Sequence, residues 1–421
     1  MSVLLGCIGD DFTGSTDLAS FLVASGMRTI QLTGLPEEKY DLADVDAAVI
    51  SLKSRTQEPK AAVTDSLRAL KWLQSYNCGQ YYFKYCSTFD STDKGNIGPV
   101  ADALLDALGE SFTIACPALP VNGRTVYNGY LFVNGVLLNE SGMQHHPLTP
   151  MNDANLVRVL GRQTSGKVGL VDQTTVSLGA EAIGKRYAAL AESHRYAVVD
   201  ALFTKDLIEI GHAGSELKLL TGGSGLAIGL ADNFEKKGLF SRAPNRARLD
   251  RVEGDTLILS GSCSSATLEQ VAVFKAGHPA LKLDPLALHR GSQTSEQAIQ
   301  WFKAHRHQGP LMVYATDHPE AVRRCQEELG VERAGMLVEA MFAEIAHAAA
   351  TLGVARFIVA GGETSGAVVQ ALGVKAIKIG PPITPGVPVT QTLGDKPLLL
   401  ALKSGNFGDR DFFTKALAMM R

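Results

Sequence analysis

The sequence predicts an α/β protein of two domains, each built on a mainly parallel sheet. Three observations lead to this prediction. The chain has 421 residues, both halves alternate short apolar runs with helical patterns, and a polar, basic segment without a clean period separates the halves. We expect a first domain at 1–235, a linker at 236–255 and a second domain at 256–421. We place the active site in the cleft between the domains.

The first half supplies strands and helices in turn. We predict strands at 3–8, 29–32, 47–52, 80–85 and 112–116, and helices at 16–25, 59–76 and 97–108. Asn134-Gly135 then lies between two apolar runs, which is a strong hairpin signal. Strands at 168–172 and 196–200 resume the α/β pattern.

The second half repeats this alternation after the predicted linker. It opens with the strand in "TLILSGSCSSAT" and contains a long helix near 333–351. It closes with strands at 357–360, 376–379 and 398–402 and helices at 364–372 and 411–419. In such sheets ligands bind beyond the carboxyl ends of the strands, so the turns that follow strands are the candidate sites.

The composition of the chain argues against a nucleic acid or a membrane as its partner. The net charge of -3 gives no basic footprint for nucleic acid, and no run of about 18 apolar residues suggests a membrane span. The six cysteines are scattered without zinc spacing. We therefore expect a cytoplasmic protein that acts on small metabolites, with no nucleic acid or membrane partner.

Three turns of the second half each bring glycine and hydroxyl residues to the start of a helix. Their candidate ligand-binding residues are Ser260 and Ser262 in the first turn, Gly361, Gly362, Glu363 and Thr364 in the second, and Gly405 and Asn406 in the third. Free amides at a helix N-terminus favour phosphate. One such turn is routine in α/β folds, but three in one domain favour a nucleotide site.

Two other stretches approach known nucleotide-binding motifs but do not match them. The stretch "GRQTSGKV" has P-loop spacing, but Val168 stands where the magnesium-binding hydroxyl is required. The stretch "TGGSGLAIG" has Ile228 at the third glycine position of a dinucleotide fingerprint. A dehydrogenase is therefore unsupported.

In the first half, "CIGDDFTGSTD" places Asp10 and Asp11 side by side where a strand ends. Adjacent carboxylates repel, so a cation, a backbone amide or a substrate proton should offset that cost. Helix capping explains one carboxylate, with the helix starting at Thr16, but not both. The pair is thus a candidate for catalysis.

Cationic and hydroxyl residues follow neighbouring strands and would suit a small hydroxy acid. The candidates for substrate binding are Arg55, Lys84, Ser87, Asn122 and Arg124. Strand ends that are merely solvated, and an ordinary surface arginine at 124, are equally compatible with the sequence.

Several long segments, in order along nearly the whole chain, resemble the four-carbon acid sugar kinase family. They are "IGDDFTGSTDLASFL", "FKYCSTFDSTDKGNIGPVADAL", "CPALPVNGRTVYNGYLFVNGVLLNESGMQHHPLTPM", "LSGSCSSAT", "GGETSGAVVQALG" and "LALKSGNFG". The resemblance implies an N-terminal sugar-acid domain, a C-terminal nucleotide domain and phosphorylation of the terminal hydroxyl of a four-carbon acid by ATP. It places nucleotide contacts on Ser260, on Gly361 through Thr364 and on Gly405.

From this we expect ATP and Mg²⁺ as cofactors, with Asp11 as the base that accepts the hydroxyl proton and Asp10 orienting the hydroxyl or holding the metal through water. The metal ligands stay unassigned, and a homo-oligomer is possible. A 3-oxo acid is the expected substrate, and D-threonate or D-erythronate is the alternative. A non-catalytic sensor of sugar acid and nucleotide is the alternative from another class.

Overall fold

The computed structural model describes residues 3–145, 149–242, 249–394 and 396–420. The chain divides into two compact units, Met1–Ala247 and Arg248–Arg421. The linker expected at 236–255 spans this division, and residues 243–248 of it lie outside the described residues. Each unit contains a mainly parallel sheet and helices, so the predicted fold class of two α/β domains is confirmed.

The first unit alternates strands and helices. Its strands are Leu5–Gly9 (β1), Thr29–Thr33 (β2), Ala47–Ser51 (β3), Gln80–Lys84 (β4), Thr113–Cys116 (β5), Arg124–Tyr127 (β6), Tyr130–Val133 (β7), Val136–Leu137 (β8), Val168–Val171 (β9), Tyr196–Val199 (β10) and Leu219–Gly222 (β11). Its α-helices are Phe12–Ala24 (α1), Pro59–Gln74 (α2), Ile97–Leu108 (α3), Leu156–Gly161 (α4), Gln173–Val176 (α5), Ala180–Ala191 (α6), Thr204–Ala213 (α7) and Leu230–Lys236 (α8).

The main sheet of the first unit is parallel throughout, in the order β2-β3-β1-β4-β11-β5-β10-β9. Every residue of β1, β3 and β4 is buried, as expected for parallel strands covered by helices on both faces. The carboxyl ends of all these strands lie along one edge. The hairpin signal at Asn134-Gly135 is also confirmed, because these residues join β7 to β8 in a small antiparallel sheet.

The first helix begins earlier than the sequence predicts. The side chain of Asp11 accepts a hydrogen bond from the backbone N–H of Gly14, so Asp11 is the N-cap and α1 starts at Phe12 rather than Thr16. The segment between these two positions contains threonine, glycine and serine, which are weak helix formers. The cap and the tertiary packing override that weak propensity.

The second unit contains seven strands and seven α-helices among the described residues. Its strands are Asp255–Ser260 (β12), Ala280–Lys282 (β13), Leu311–Tyr314 (β14), Val354–Ala360 (β15), Ala376–Thr384 (β16), Val387–Thr392 (β17) and Leu399–Lys403 (β18). Its α-helices are Ser265–Lys275 (α9), Pro285–His289 (α10), Ser295–His305 (α11), Pro319–Leu329 (α12), Val331–Thr351 (α13), Gly362–Ala371 (α14) and Phe412–Met419 (α15).

The sheet of the second unit has the order β13-β14-β12-β15-β18-β17-β16. The first five of these strands are parallel, and β17 and β16 are antiparallel to their neighbours. Its core includes Ile258, Ile358 and Ala401 from three adjacent strands and Phe412 and Phe413 from α15. The three glycine turns therefore follow neighbouring parallel strands, β12, β15 and β18.

Among the residues that the structure describes, no helix combines the length and the apolar character that a membrane crossing requires.

Candidate functional site

The aspartate pair lies where three neighbouring strands of the first unit end. Gly9, the last residue of β1, pairs with Ser51 of β3 on one side and Lys84 of β4 on the other. The backbone of Asp10 continues these contacts, since its N–H donates to the carbonyl of Lys84 at 3.1 Å and its carbonyl accepts from the N–H of Arg55 at 3.2 Å. The turns that carry Asp10, Arg55 and Lys84 are thus fixed to one another before any side chain is considered.

Arg55 joins both aspartates. Its Nε and Nη2 donate to the two carboxylate oxygens of Asp10 at 2.8 and 2.9 Å, which is a bidentate pair. The same Nη2 donates to Oδ1 of Asp11 at 2.6 Å. Its other terminal nitrogen, Nη1, is 3.8 Å from Asp90, which is too far for a hydrogen bond. Nη1 thus has an ion pair with Asp90 but no hydrogen bond, and the Arg55 side chain as a whole is 23% exposed.

Asp11 is held by four donors. The Lys84 ammonium donates to Oδ1 at 2.9 Å, in addition to the Arg55 contact, while Oδ2 accepts from the Thr13 hydroxyl at 2.9 Å and from the Gly14 N–H at 3.0 Å. Lys84 also lies 3.6 Å from Asp10. The repulsion between the adjacent carboxylates is therefore offset by two cations of the protein itself and by a helix cap.

Asp10, Asp11, Arg55 and Lys84 form one cluster of charged side chains, and the directions of their pKa shifts follow from these contacts. Burial would raise the pKa of the Asp11 carboxyl, but Lys84 and Arg55 outweigh burial and hold that pKa well below its usual range. Burial likewise acts to lower the pKa of Lys84, yet Asp11 and Asp10 raise it above its ordinary value. Asp11 and Lys84 are thus charged at neutral pH, whereas burial raises the pKa of Asp10 above its ordinary value despite the nearby Arg55 and Lys84. Asp11, with a side chain 25% exposed, is more accessible than Asp10 at 8%.

Asn96 fixes the loop that carries Arg55. Its side-chain amide donates to the backbone carbonyls of Ser54, Arg55 and Gln57 at 2.6, 3.2 and 2.9 Å. Asn96 itself is 7% exposed, immediately before α3. The backbone that carries the guanidinium is therefore held by a side chain from another element, which sequence reasoning missed because an asparagine before a helix is routinely a cap.

The cluster also requires a glycine at residue 14. A Cβ there would lie 1.7 Å from Nζ of Lys84 and 2.3 Å from Oδ1 of Asp11, so any side chain would overlap the ion pair. Nearby, Phe89 is fully buried at a φ of 52°, a left-handed conformation that is costly for a bulky residue. The packing at Gly14 and the backbone conformation at Phe89 therefore both restrict which residues these two turns accept.

The remaining candidates for substrate binding lie apart from this cluster. Ser87 is half-buried in the turn that follows β4. Asn122 ends a short 3-10 helix after β5 and Arg124 begins β6, and the Arg124 guanidinium donates to the carbonyl of Asn122. Among the described residues, no hydrogen bond or ion pair joins Ser87, Asn122 or Arg124 to the aspartate pair. Lys84 is only 4% exposed and contacts Asp11, so its geometry favours holding that carboxylate over meeting the substrate.

The nucleotide candidates are brought together by the parallel register of β12, β15 and β18. The N–H of Ser262 donates to the carbonyl of Ala360 at 3.1 Å, and that of Gly361 donates to the carbonyl of Lys403 at 2.9 Å. The hydroxyl of Ser264, the N-cap of α9, donates to the carbonyl of Gly405 at 2.6 Å. The three turns therefore form one continuous edge.

Within this edge the candidates differ in accessibility. Gly362, Glu363 and Asn406 are exposed, whereas Thr364 is buried with its hydroxyl pointing toward the first turn. Ser260 is fully buried, and its hydroxyl is 2.8 Å from that of Thr316 after β14. The Ser260 hydroxyl thus forms a hydrogen bond in the protein interior, which the sequence did not indicate.

Gly361 supports the second turn through its backbone. It adopts a φ of 127°, a conformation open to glycine but not to ordinary side chains. A Cβ at this position would lie 2.9 Å from the Thr364 hydroxyl and 3.2 Å from the N–H of Ser262. The close approach of the first two turns therefore depends on this glycine.

A dedicated metal site is not evident in the described part of the chain, which contains no group of three or more His, Cys, Asp or Glu side chains placed to hold an ion. The carboxylates of Asp10 and Asp11 are already bonded to Arg55 and Lys84. Mg²⁺ commonly binds through few protein carboxylates together with the phosphates of a nucleotide. The residues present fit that mode better than a protein cage.

Both units match families of known proteins. Residues 5–230 match the family described as "Sugar-binding N-terminal domain", and residues 257–413 match "Nucleotide-binding C-terminal domain". The chain is 56% identical to a 3-oxo-tetronate kinase of Burkholderia multivorans, over 98% of this chain and 96% of that one. It is 48% identical to a 3-oxo-tetronate kinase of Methylobacterium radiotolerans over the full length of both.

Solved structures agree over the whole chain. A Haemophilus influenzae protein is 47% identical with a TM-score of 0.84, covering 99% of this chain and 100% of that one. A Salmonella typhimurium LT2 protein, provisionally described as a tRNA synthase, is 44% identical with a TM-score of 0.91 and full coverage of both. These matches span both units in order, so the chain belongs to the four-carbon acid sugar kinase family, in which a sugar-binding N-terminal domain precedes a nucleotide-binding C-terminal domain.

Proposed function

We propose that this protein transfers the γ-phosphoryl group of ATP to the 4-hydroxyl of 3-oxo-tetronate, giving 3-oxo-tetronate 4-phosphate. The observation that carries the proposal is the identity of 48–56%, over 98–100% of the chain, to curated relatives named 3-oxo-tetronate kinase. The two edges described above are chemically suited to this reaction. One presents carboxylates and a guanidinium, and the other presents glycine turns at helix starts.

In this proposal Asp11 accepts the proton of the attacking hydroxyl. It is the more accessible of the two aspartates, and its low pKa keeps it ionised. A carboxylate of low basicity suits a loose phosphoryl-transfer transition state, in which the hydroxyl loses its proton late and orientation matters most. Asp10 then acts on Arg55, which it holds by a bidentate pair.

We assign the carboxylate of the sugar acid to Arg55. Its Nη1 lies beyond hydrogen-bond distance of Asp90, so it can donate to a ligand without breaking the contacts to Asp10 and Asp11. Lys84 supports Asp11 in this arrangement. Ser87, Asn122 and Arg124 stay candidates for contacts to the hydroxyl and oxo groups.

The glycine turns of the second unit would bind the phosphates of ATP through backbone N–H groups, with Gly361 through Thr364 and Gly405 nearest the nucleotide and Ser260, Ser262 and Asn406 alongside. Mg²⁺ would come with the nucleotide and offset charge on its phosphate oxygens. We propose that the protein works in the cytoplasm, where ATP is available, without a nucleic acid or membrane partner.

The proposal is tested by measuring ADP release from Mg-ATP with four acids: 3-oxo-tetronate, D-threonate, L-threonate and D-erythronate. Turnover confined to the oxo acid supports the proposal and places specificity at the carbonyl. Turnover on a tetronate without the oxo group would still support a kinase, but it would show that the proposed substrate is wrong. ADP release with none of the acids, together with binding of both ligands, would overturn the kinase in favour of a sensor.

A further inference from the structure

Lys403 is a buried cation that the proposed mechanism does not use. It is the last residue of β18 and is 0% exposed. Its ammonium donates to the Thr267 hydroxyl at 2.9 Å and to the carbonyls of Gly405 and Ser404 at 2.8 and 3.2 Å. The Phe412 ring lies 5.7 Å away. No carboxylate in the described part of the chain forms a salt bridge with it.

An ammonium buried among neutral oxygens is a poor source of stability, because its lost hydration is not offset by an opposite charge. Uncompensated charges of this kind concentrate at functional sites. The place of Lys403, directly before the third glycine turn, suggests which function to examine.

The contacts of Lys403 fix the direction of two peptide units. In a planar trans peptide the carbonyl and the following N–H point in opposite directions. The carbonyl of Ser404 points inward to Lys403, so the N–H of Gly405 points outward. The carbonyl of Gly405 accepts from Lys403, from Ser264 at 2.6 Å and from Thr267 at 2.8 Å, so the N–H of Asn406 also points outward.

These two N–H groups are available to a ligand. Neither the N–H of Gly405 nor that of Asn406 has an acceptor among the described residues. Gly405 is half-buried and Asn406 is exposed, so the pair faces accessible space. Successive backbone N–H groups that point the same way form a site for an anion such as phosphate.

We propose that Lys403 is a positioning residue for nucleotide binding, which turns the N–H groups of Gly405 and Asn406 toward the phosphates of the nucleotide. The inference rests on the proposed function for the identity of the ligand, and it adds a residue that acts through the backbone rather than by contact. The negative charge of a bound phosphate also supplies the counter-charge that Lys403 lacks in the protein alone.

The test is the binding of MgADP, measured by calorimetry, in the wild type, Lys403→Met and Lys275→Met. Lys275 is an exposed lysine on α9 of the same unit, so its variant controls for the loss of one positive charge. We expect the Kd to rise about tenfold or more in Lys403→Met, the effect of losing hydrogen bonds from a charged group, and less than about twofold in Lys275→Met.

Kinetics separate positioning from general damage to the fold. In Lys403→Met the KM for ATP should rise while the KM for the acid stays unchanged. If this variant does not fold, Thr267→Val removes one partner of Lys403 together with one donor to the carbonyl of Gly405 and keeps the side-chain shape, and its Kd should rise about threefold or more. A folded Lys403→Met, or failing that Thr267→Val, that binds MgADP as the wild type does would overturn the inference.

Failure of this inference is distinct from failure of the proposed function. If the wild type does not bind MgADP, both the proposed nucleotide site and the proposed kinase activity are contradicted. A wild type that binds MgADP but phosphorylates none of the acids would remove the kinase, and the comparison of the variants by calorimetry would still decide the role of Lys403.

Discussion

Lys84 and Lys403 make an instructive pair, one in each unit. Each is the last residue of a buried strand, and their side chains are 4% and 0% exposed. Lys84 contacts the carboxylates of Asp11 and Asp10, whereas Lys403 contacts a hydroxyl and two carbonyls. The same residue type at the same kind of position thus has opposite electrostatic surroundings.

The pKa values follow this difference. For Lys84, burial acts to lower the pKa, but the two aspartates outweigh it and the pKa is raised. For Lys403, burial is unopposed and lowers the pKa to about 8. The comparison teaches that the first unit balances its charges internally, while the second leaves a positive charge for an anionic ligand to balance.

The largest effect should come from the carboxylate that Lys84 holds. Asp11→Asn keeps the shape of the side chain but removes its charge and its capacity to accept a proton. We expect kcat to fall by about 100- to 10,000-fold, the usual contribution of general base catalysis, while the Kd for MgADP stays unchanged because the nucleotide turns are untouched. Steady-state kinetics and calorimetry measure the two quantities.

Thr13→Val is the matched control for this variant. It removes one hydrogen bond to Asp11 and leaves the carboxylate in place. Its turnover should stay within about tenfold of the wild type. Near-normal turnover in Asp11→Asn would remove the base assignment, whatever the result for Thr13→Val.

The two lysines should differ strongly when each is replaced by methionine. Lys84→Met leaves the carboxylates of Asp10 and Asp11 with Arg55 as the one cation among the described residues that contacts them, and breaking a buried ion pair costs about 3–5 kcal/mol, an upper bound here because Asp11 is 25% exposed. Lys403→Met removes an ammonium that has no counter-charge in the described part of the chain, which recovers its desolvation cost, but it leaves the carbonyl of Ser404 without this donor, so we expect a smaller loss of stability than in Lys84→Met.

The two tryptophans allow each unit to be followed separately. Trp72 lies in α2 of the first unit and Trp301 in α11 of the second, and the chain has no others. Urea denaturation in a Trp301→Phe background reports on the first unit, and Trp72→Phe reports on the second. Equal losses of stability in the two methionine variants would contradict the electrostatic contrast.

Asn96→Ala should have a smaller effect on the first unit. It removes three hydrogen bonds to the loop of Arg55, and a buried carbonyl left without its donor costs about 1–3 kcal/mol. The looser guanidinium should raise the KM for the acid and leave the KM for ATP unchanged. A rise in both constants, or in neither, would argue against a role for Asn96 in orienting Arg55.

The two lysines should also differ in the pH dependence of their contributions to stability. The ordinary pKa of lysine in an unfolded chain is about 10.4. Between about 8 and 10.4 the unfolded chain binds more protons at residue 403 than the folded protein does. The stability of the wild type relative to Lys403→Met should therefore rise across this range.

Lys84 should behave in the opposite sense. Its raised pKa makes its contribution complete below about 10.4, and the contribution is lost only at higher pH. The stability difference between the wild type and Lys84→Met should thus be flat from pH 7 to 10. Urea titrations over this range in the single-tryptophan backgrounds measure both curves, and parallel curves would refute the contrast.

The sequence predicted the alternation of strands and helices and the edges on which both candidate sites lie, because periodicity and strand order determine them. It missed the start of α1, because the weak helix formers after Asp11 concealed a cap. It proposed Arg55 and Lys84 for the substrate, which stays a prediction, but it did not predict that both side chains bond to the aspartates. Which charges pair depends on tertiary packing, which no local pattern encodes.

Lys403 illustrates the same limit in the second unit. A lysine at the end of a strand is ordinarily solvated, and no sequence pattern distinguishes this one. Its burial depends on α9 and α15, whose Thr267 and Phe412 pack against it from distant parts of the chain. Its role could be inferred only once those contacts were known.

The close approach at Gly14 has a consequence for how such chains diverge. Because a Cβ there would occupy the space of the Lys84 ammonium, residues 14 and 84 cannot change independently. A descendant that acquires alanine at residue 14 must already have lost or displaced the lysine, and one that keeps the lysine must keep the glycine. A residue other than glycine at 14 would therefore indicate that a distant relative has lost or displaced this lysine, whereas a glycine there is compatible with either state.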